Sequence, residues 1–403
     1  MKRFLSILIL VCLAAPAAAE NAKIADALRE LFAQGDPTKA EAQQQAVLEA
    51  VGGDADKLIA ALKADTAYAP AKPGLHAFKT TVDKDGRPEP ITYYVFLPHG
   101  YTPEKSWPTV LAGHGQTGDG QWAVQNTRGL LGNQEAGKYV VVAPTLSDPH
   151  LPGQGKPRTY SARPYQEQTF LKALRLAGRA YNLDDNHVYV SGYSMGGHTA
   201  WHLPTVFPHL FAAAVPIAGV PHFEGFPYTT VSYMSNLQHV PLWSIWGELD
   251  RAGGPSVLGQ PDFNRLAAER LKALKNEHFI GTELKGVAHG GCYPPPGEYP
   301  KFLAKYTRNP TPEKITHNFH LPHHARGYYL EATALSTKPP DFTKPPKIKV
   351  SRDPRGMSKI DRLKMFSKHF DRSLFRFQAT LNRKTNTLTI KPFRIKTMRL
   401  YVT

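Results

Sequence analysis

Residues 188–200 read VYVSGYSMGGHTA, and they join an apolar, β-branched run to a run of small residues that suits a helix. Between the two runs lies the pattern Gly-x-Ser-x-Gly, in which Gly192 and Gly196 stand two positions before and after Ser194. The pattern predicts a sharp strand-to-helix turn that lifts the serine hydroxyl off a sheet. Small residues are needed at both flanking positions because the serine is held in a strained conformation. We therefore predict that Ser194 is a nucleophile.

The first 19 residues have the pattern of a cleaved secretory signal. Basic Lys2 and Arg3 precede an apolar run from Phe4 to Ala15, and an Ala-x-Ala site lies before Glu20. The apolar run is too short to span a bilayer. We therefore expect a mature chain that begins at Glu20, is periplasmic or secreted, and has no transmembrane segment.

The net positive charge of the chain lies almost entirely in one region. Residues 338–403 contain 18 Lys/Arg and 4 Asp/Glu, a net charge of +14 out of the +16 of the whole chain. Such a localised excess favours contact with a polyanion, such as an anionic polysaccharide or another anionic surface. Nucleic acid is not predicted as a partner, because this region lacks the aromatic–basic interleaving of single-strand binders.

Apolar periodicity divides the chain into four parts. Residues 1–19 are the predicted signal peptide, and residues 20–74 show helical spacing with breaks near 35–37 and 52–54. Residues 75–314 alternate strand-like and helix-like runs, which predicts an α/β fold with a mostly parallel sheet flanked by helices. The pattern of residues 315–403 predicts a small, basic β module with a Pro/Lys-rich insert.

A serine hydroxyl is a poor nucleophile at neutral pH and needs a histidine base that is held by a carboxylate. With this kind of turn, the expected order along the chain is Ser, acid, His. Asp250 follows an apolar strand-like run and is the predicted acid, with Glu248 and Asp262 as alternatives. His289 lies in a glycine-rich loop 39 residues after Asp250, which leaves room for one helix and one strand. The predicted triad is therefore Ser194, His289 and Asp250.

Acyl transfer also needs hydrogen-bond donors for the oxyanion, and loss of one typically slows the reaction ~10²–10³-fold. We predict that these donors are two backbone N–H groups. One belongs to Met195, directly after the serine, and the other to Gln116, in the loop that follows an upstream strand. His114 in the same loop is predicted to be a structural ring. Pro204, ten residues after Ser194, is expected to end or kink the helix behind the turn.

Other residues with metal-binding or nucleophilic side chains give no further site. Four histidines lie close together in sequence: His317, His320, His323 and His324. Their spacing matches no zinc pattern, and neither a carboxylate nor a cysteine joins them, so no metal and no cofactor is predicted. Cys292 is the single cysteine after signal cleavage, which excludes an internal disulfide, and we expect its thiol to be inert packing.

Several segments resemble a known family. These are YVFLPHGY at 94–101, residues 108–115, the turn segment 181–197 and FAAAVPIAG at 211–219. They are similar to exported bacterial α/β-hydrolases, namely esterases related to polyhydroxybutyrate depolymerases and feruloyl esterases, and prolyl-oligopeptidase-like catalytic domains. The resemblance covers about residues 90–300. It implies the α/β-hydrolase fold, with the same three triad residues.

The resemblance implies a serine hydrolase that cleaves carboxylic esters through an acyl-enzyme, with acyl groups of plant polymers as candidate substrates. The alternative is a prolyl-oligopeptidase-like serine peptidase that acts on short peptides. Two departures weaken that alternative: no β-propeller is expected, and the turn reads Gly-Tyr-Ser-Met-Gly, which is closer to the esterases. A non-catalytic polyanion-binding surface protein is a further alternative from another class.

Overall fold

The computed structural model describes residues 22–28, 30–31, 37–64, 68–116, 118–146, 164–221, 232–251, 258–339 and 353–401. The predicted signal peptide and most of the Pro/Lys-rich insert lie outside these residues. The chain divides into two compact units, Met1–Pro70 with Arg179–Asn182, and Ala71–Gly178 with Leu183–Thr403. The second unit contains the predicted β module and, apart from Arg179–Asn182, the predicted catalytic domain. Among the described ranges, no helix is long and apolar enough to cross a bilayer.

The helices expected from the apolar spacing are present in the described part of the first unit. Residues 22–28 and 30–31 are helical, and they are followed by α1 (Pro37–Ala50) and α2 (Ala55–Ala64). The carboxylate of Asp54 accepts two backbone N–H groups of the first turn of α2, at 2.9 and 3.1 Å, and so caps this helix. A small buried cluster joins four apolar side chains: Ile24, Leu28, Val47 and Val51.

The second unit is built on an eight-stranded sheet. Its strands are β1 (Gly74–Lys84), β2 (Arg87–Leu97), β3 (Trp107–Gly113), β4 (Val140–Pro144), β5 (Leu183–Tyr193), β6 (Ala213–Ile217), β7 (Leu242–Gly247) and β8 (Phe279–Leu284). Their order across the sheet is β1-β2-β4-β3-β5-β6-β7-β8. The pairs β1–β2 and β2–β4 are antiparallel, and every other pair of neighbours is parallel. The predicted mostly parallel sheet is confirmed.

Helices flank this sheet. They are α3 (Gly120–Glu135), α4 (Pro164–Ala180), α5 (Met195–Val206), α6 (Gln260–Ala273) and α7 (Glu298–Leu303). The sequence did not predict α3, whose first turn is capped by Asp119 through the N–H of Trp122 at 2.8 Å. In α5, Pro204 lies inside the helix, which ends two residues later at Val206.

Two smaller three-stranded sheets follow in the chain. Their strands are β9 (Lys314–Phe319), β10 (Arg326–Gly327), β11 (Leu330–Leu335), β12 (Phe375–Asn382), β13 (Thr387–Phe393) and β14 (Ile395–Leu400). The first sheet has the order β10-β11-β14, and the second has the order β13-β12-β9. The sequence predicted a β module here but not the helix α8 (Lys359–Asp371), which precedes β12.

Three strands of the basic region 338–403, namely β12, β13 and β14, are part of this packing. Strand β12 lies between β9 and β13, and Phe375 pairs with Phe319 across the β9–β12 ladder. Phe375, Phe377 and Phe319 are at most 1% exposed. Removing this region would therefore uncover the aromatic face of β9, so its charge is better tested by exchanging exposed lysines than by truncation.

Candidate active site

The predicted turn forms at the end of β5. Ser194 has φ 57° and ψ −116°, a conformation that residues with a Cβ rarely adopt. Its backbone N–H donates to the carbonyl oxygen of Ile217, at the end of β6, at 2.9 Å. Helix α5 begins at the next residue, Met195. The strained serine is thus held between two neighbouring strands and a helix N-terminus.

Close backbone approach explains the glycines around the serine. A Cβ on Gly196 would lie 2.0 Å from the carbonyl oxygen of Gly113, and a Cβ on Gly192 would lie 2.5 Å from the carbonyl oxygen of Gly196. Both predicted glycines are therefore sterically required. Gly197 and Gly219, which the sequence analysis did not single out, face the same limit, since a Cβ on Gly219 would lie 2.2 Å from the carbonyl carbon of Gly197.

The structure brings the three predicted triad residues together. The imidazole Nε2 of His289 lies 2.8 Å from Ser194 Oγ, and its Nδ1 lies 2.7 Å from Asp250 Oδ2. The side chain of Asp250 is 8% exposed, whereas that of His289 is 43% exposed. When Nδ1–H donates to the carboxylate, the lone pair of Nε2 is left to accept the serine proton. The arrangement is chemically able to activate a serine hydroxyl.

The two alternative acids are engaged elsewhere. Glu248 accepts the backbone N–H of Gly286 and the ammonium group of Lys285, both at 3.0 Å. The N–H of Gly286, followed by Lys285, lowers the pKa of the Glu248 carboxyl. Asp262 accepts the guanidinium of Arg251 at 2.8 Å. Of the three candidate carboxylates, the hydrogen bond to the histidine is made by Asp250.

Two side chains that had no sequence signal lie against His289. The hydroxyl of Tyr193 donates to the carbonyl oxygen of His289, and the two rings lie 5.6 Å apart. Burial raises the pKa of Tyr193, so its hydroxyl stays protonated and able to donate at neutral pH. The amide nitrogen of Gln260, the first residue of α6, lies 3.3 Å from Nδ1 of His289. Tyr193 occupies a variable position of the Gly-x-Ser-x-Gly pattern, which gave no signal for it.

The loop that contains Gln116 is anchored beside the serine. His114 is 1% exposed, accepts the N–H of Leu146 on Nε2 at 3.0 Å and donates from Nδ1 to the carbonyl oxygen of Gly115 at 2.7 Å. Its predicted structural role is confirmed. A Cβ on Gly115 would lie 3.8 Å from the Cβ of Ser194, so the loop passes next to the nucleophile.

Cys292 lies close to the histidine loop but is buried. Its thiol is 0% exposed and donates to the carbonyl oxygen of Ala288 at 3.3 Å. Burial raises the pKa of Cys292 to about 11. Because the thiolate is the reactive form, this environment agrees with the predicted inert thiol.

We predict that Cys292 resists alkylation in the folded protein. At pH 8 only about 0.1% of a thiol with this pKa is ionised, and the buried sulfur is also shielded. Iodoacetamide should therefore leave the tryptic peptide of Cys292 unmodified in the native protein, and should modify it fully in guanidinium chloride, as measured by mass spectrometry. Native labelling at the rate of a free cysteine would contradict the inert assignment.

Two of the four clustered histidines share one carboxylate, and the other two have different partners. His323 and His324, in the turn Pro322–His324, both reach the carboxylate of Glu167 on α4. His317 donates from Nε2 to the carbonyl oxygen of His324 at 2.7 Å, and the ring of His320 stacks on Tyr233 with centroids 5.4 Å apart. The expectation that no carboxylate joins these histidines was wrong. Sequence spacing gave no sign of Glu167, which lies more than 150 residues earlier.

Comparison with known proteins gives one family match and several similar structures. Residues 87–270 match the family model Esterase. Among solved structures, the chain is similar to a thermostable esterase, with 21% identity, a TM-score of 0.44, and coverage of 58% of this chain and 63% of that one. The chain thus spans less than two thirds of that esterase.

Two further solved structures are similar. One is the CE1 ferulic acid esterase of the anaerobic fungus Anaeromyces mucronatus, with 19% identity, a TM-score of 0.40, and coverage of 59% of this chain and 92% of that one. The other is the S-formylglutathione hydrolase of Staphylococcus aureus, with 13% identity, a TM-score of 0.39, and coverage of 57% and 96%. No curated protein matches the sequence significantly. Residues 87–270 thus resemble the Esterase family, and the mostly parallel sheet flanked by helices, with its serine turn, has the architecture of the α/β-hydrolase fold.

Proposed function

We propose that this chain hydrolyses carboxylic esters through an acyl-enzyme formed on Ser194. The observation that supports this most is the position of His289, whose two ring nitrogens lie 2.8 Å from Ser194 Oγ and 2.7 Å from Asp250 Oδ2. A serine, a base and a buried acid in this geometry are the parts that acyl transfer requires.

In the proposed first half-reaction, Ser194 Oγ attacks the ester carbonyl carbon while Nε2 of His289 takes the hydroxyl proton. The negative charge that develops on the carbonyl oxygen is held by the N–H groups of Met195 and Gln116. The intermediate collapses, the bond to the alcohol breaks, and His289 returns its proton to the leaving oxygen. Water then attacks the acyl-enzyme by the same route and releases the carboxylic acid, which regenerates the serine.

We further propose that the acyl group is aromatic, as in feruloyl esters of plant polymers. The support is a set of aromatic rings around the histidine. Tyr293 is 40% exposed and stacks on Tyr193 at 5.2 Å, and Trp122 meets Tyr193 edge-on at 6.3 Å. The exposed ring of Tyr293 is able to stack on a planar acyl group, a contact worth about 0.5–1.5 kcal/mol.

The substrate class is tested by comparing kcat/KM for three compounds: methyl ferulate, p-nitrophenyl acetate and a proline-containing peptide amide. We expect turnover of both esters and a strong preference for them over the amide. Preference for the amide would instead support the peptidase alternative.

Replacing Tyr293 by alanine is expected to lower kcat/KM for methyl ferulate about 2–12-fold, as loss of one aromatic stacking contact implies. The same variant should leave kcat/KM for p-nitrophenyl acetate nearly unchanged, because an acetyl group does not reach a stacking surface. An equal loss for both esters would show that Tyr293 supports the site rather than selecting the substrate.

We also propose that residues 338–403 contact an anionic polysaccharide. The support is the net charge of +14 in this region together with the exposure of Lys384, Lys391 and Lys396 on and beside its strands. Reversing all three to glutamate should shift elution from an anionic polysaccharide column to lower salt. Salt weakens a contact between exposed charges, which are screened over ~8–10 Å at physiological ionic strength, and a weaker contact needs less salt to break. A matched triple reversal in the catalytic domain, K272E/K275E/K305E, should shift elution less. Equal shifts would leave only the net charge as the cause.

Export to the periplasm or the medium is a further proposal, supported by the basic, apolar and Ala-x-Ala pattern of residues 1–19. N-terminal sequencing of the protein recovered from a bacterial host should give a chain that begins at Glu20. An intact Met1 in the cytoplasmic fraction would contradict this.

A further inference from the structure

Glu167 is a buried carboxylate on which three imidazole rings converge. It is 0% exposed on α4, and its ionic partners are all histidines. Nε2 of His202, on α5, lies 2.6 Å from Oε1 of Glu167. The Nε2 atoms of His323 and His324 each lie 3.0 Å from Oε2, and that of His324 is also 3.0 Å from Oε1. The triad does not use any of these four side chains.

The distances suit a metal ion. The ligating atoms of Glu167, His323 and His324 all lie within 4.8 Å of one another. In a tetrahedral zinc site with bonds of ~2.0–2.1 Å, neighbouring ligand atoms are ~3.3–3.4 Å apart. The two 3.0 Å separations at Oε2 therefore need to open by only a few tenths of an ångström to hold an ion between the three groups.

The surroundings fix the carboxylate and the turn that would form such a site. His202 binds Oε1 and so fixes the orientation of the carboxylate, which leaves Oε2 for an ion. His317 donates to the carbonyl oxygen of His324 at 2.7 Å and holds the turn that carries both ligating rings. The side chain of His323 is 31% exposed, which gives an ion a route from solvent.

Charge also favours a cation at this position. A buried carboxylate is costly unless it is paired or coordinates a metal. Imidazole nitrogens and a carboxylate oxygen form a donor set that suits zinc, whereas calcium and magnesium prefer oxygen donors alone.

We propose that Glu167, His323 and His324 bind a divalent transition metal ion, with Zn²⁺ the best fit and water as the fourth ligand. The ion would tie the turn Pro322–His324 to α4, next to the helix that begins directly after Ser194. The site is separate from the triad, because its neighbour His202 lies two helical turns beyond the serine on α5. Its role is to stabilise the packing of these elements.

The test is zinc binding by the untagged, full-length chain. The protein is stripped with a chelator and then titrated with Zn²⁺ in competition with a fluorescent zinc indicator. We expect one Zn²⁺ per chain, an affinity at least about tenfold lower in His323→Ala, and a rise in Tm with zinc that this variant loses. His323 is chosen because its partial exposure lets the variant fold.

The matched control is His99→Ala, which removes an exposed histidine elsewhere and should bind zinc like the wild type. Co²⁺ in place of zinc should give the strong visible bands of a four-coordinate site in the wild type and in His99→Ala, but not in His323→Ala. Failure of the wild type to hold one Zn²⁺, or equal zinc affinity in the wild type and His323→Ala, would overturn the proposal. Ester turnover is not the readout, so these outcomes are independent of the proposed activity.

Discussion

Replacing Ser194 by alanine is expected to lower kcat for p-nitrophenyl acetate about 10⁴–10⁶-fold without changing Tm substantially. The loss is this large because the nucleophile and base act as a unit, and without the nucleophile only oxyanion stabilisation and binding remain. Steady-state turnover measures the effect, and differential scanning calorimetry verifies that the variant is folded.

Fluorophosphonate labelling provides a second readout for the same variant. The wild type should be labelled on the peptide that contains Ser194, and Ser194→Ala should not be labelled. Ser191→Ala is the matched control, since Ser191 lies three residues earlier and its hydroxyl donates to the carbonyl oxygen of Val215 at 3.1 Å. It should lose some stability but keep its labelling. If neither the wild type nor the variant is labelled, the non-catalytic polyanion-binding alternative gains support.

Replacing Gly196 by alanine is expected to destabilise the protein by about 3 kcal/mol or more, because the added carbon has no space. Its Cβ would lie 2.0 Å from the carbonyl oxygen of Gly113. This oxygen belongs to the backbone, so it cannot move aside as the end of a flexible side chain could. The turn must open or β3 must move away from α5, so we expect ester turnover to fall together with stability. Thermal unfolding and urea titration measure the change.

The control for this prediction is Gly129→Ala. Gly129 lies inside α3, and a Cβ there would meet no atom within 4 Å. Because alanine favours a helix more than glycine does, this variant should gain about 0.5–1 kcal/mol. A Gly196→Ala variant with wild-type stability and turnover would show that the turn tolerates a side chain and would refute the steric argument.

The sheet could be predicted because its strands have strong local signals. β4 and β6 are buried along their whole length and are continuously apolar, and the turn after β5 has its own glycine pattern. Helix α3 could not be predicted in the same way. It contains glycines at 129 and 132, and Gly132 has φ 75°, so its helical propensity is low and packing on the sheet determines its conformation.

In the candidate site, too, only the residues with a local sequence signal could be predicted. The proximity of Ser194, Asp250 and His289 could be predicted because each of them follows a strand and the order along the chain is set by the fold. Gln260 and Glu167 gave no signal, since their contacts with His289 and His324 join segments that are distant in sequence. Such contacts depend on how the strands and helices pack, which no local pattern records.

The ladder between β9 and β12 has a consequence for how the protein is made. A nascent chain that has just passed Phe319 presents β9 without its β12 neighbour until residues 375–382 have been synthesised. Non-local pairing of this kind slows folding, and an unpaired strand edge with exposed aromatic residues invites aggregation. Ribosomal stalling or premature termination in this interval should therefore yield insoluble products.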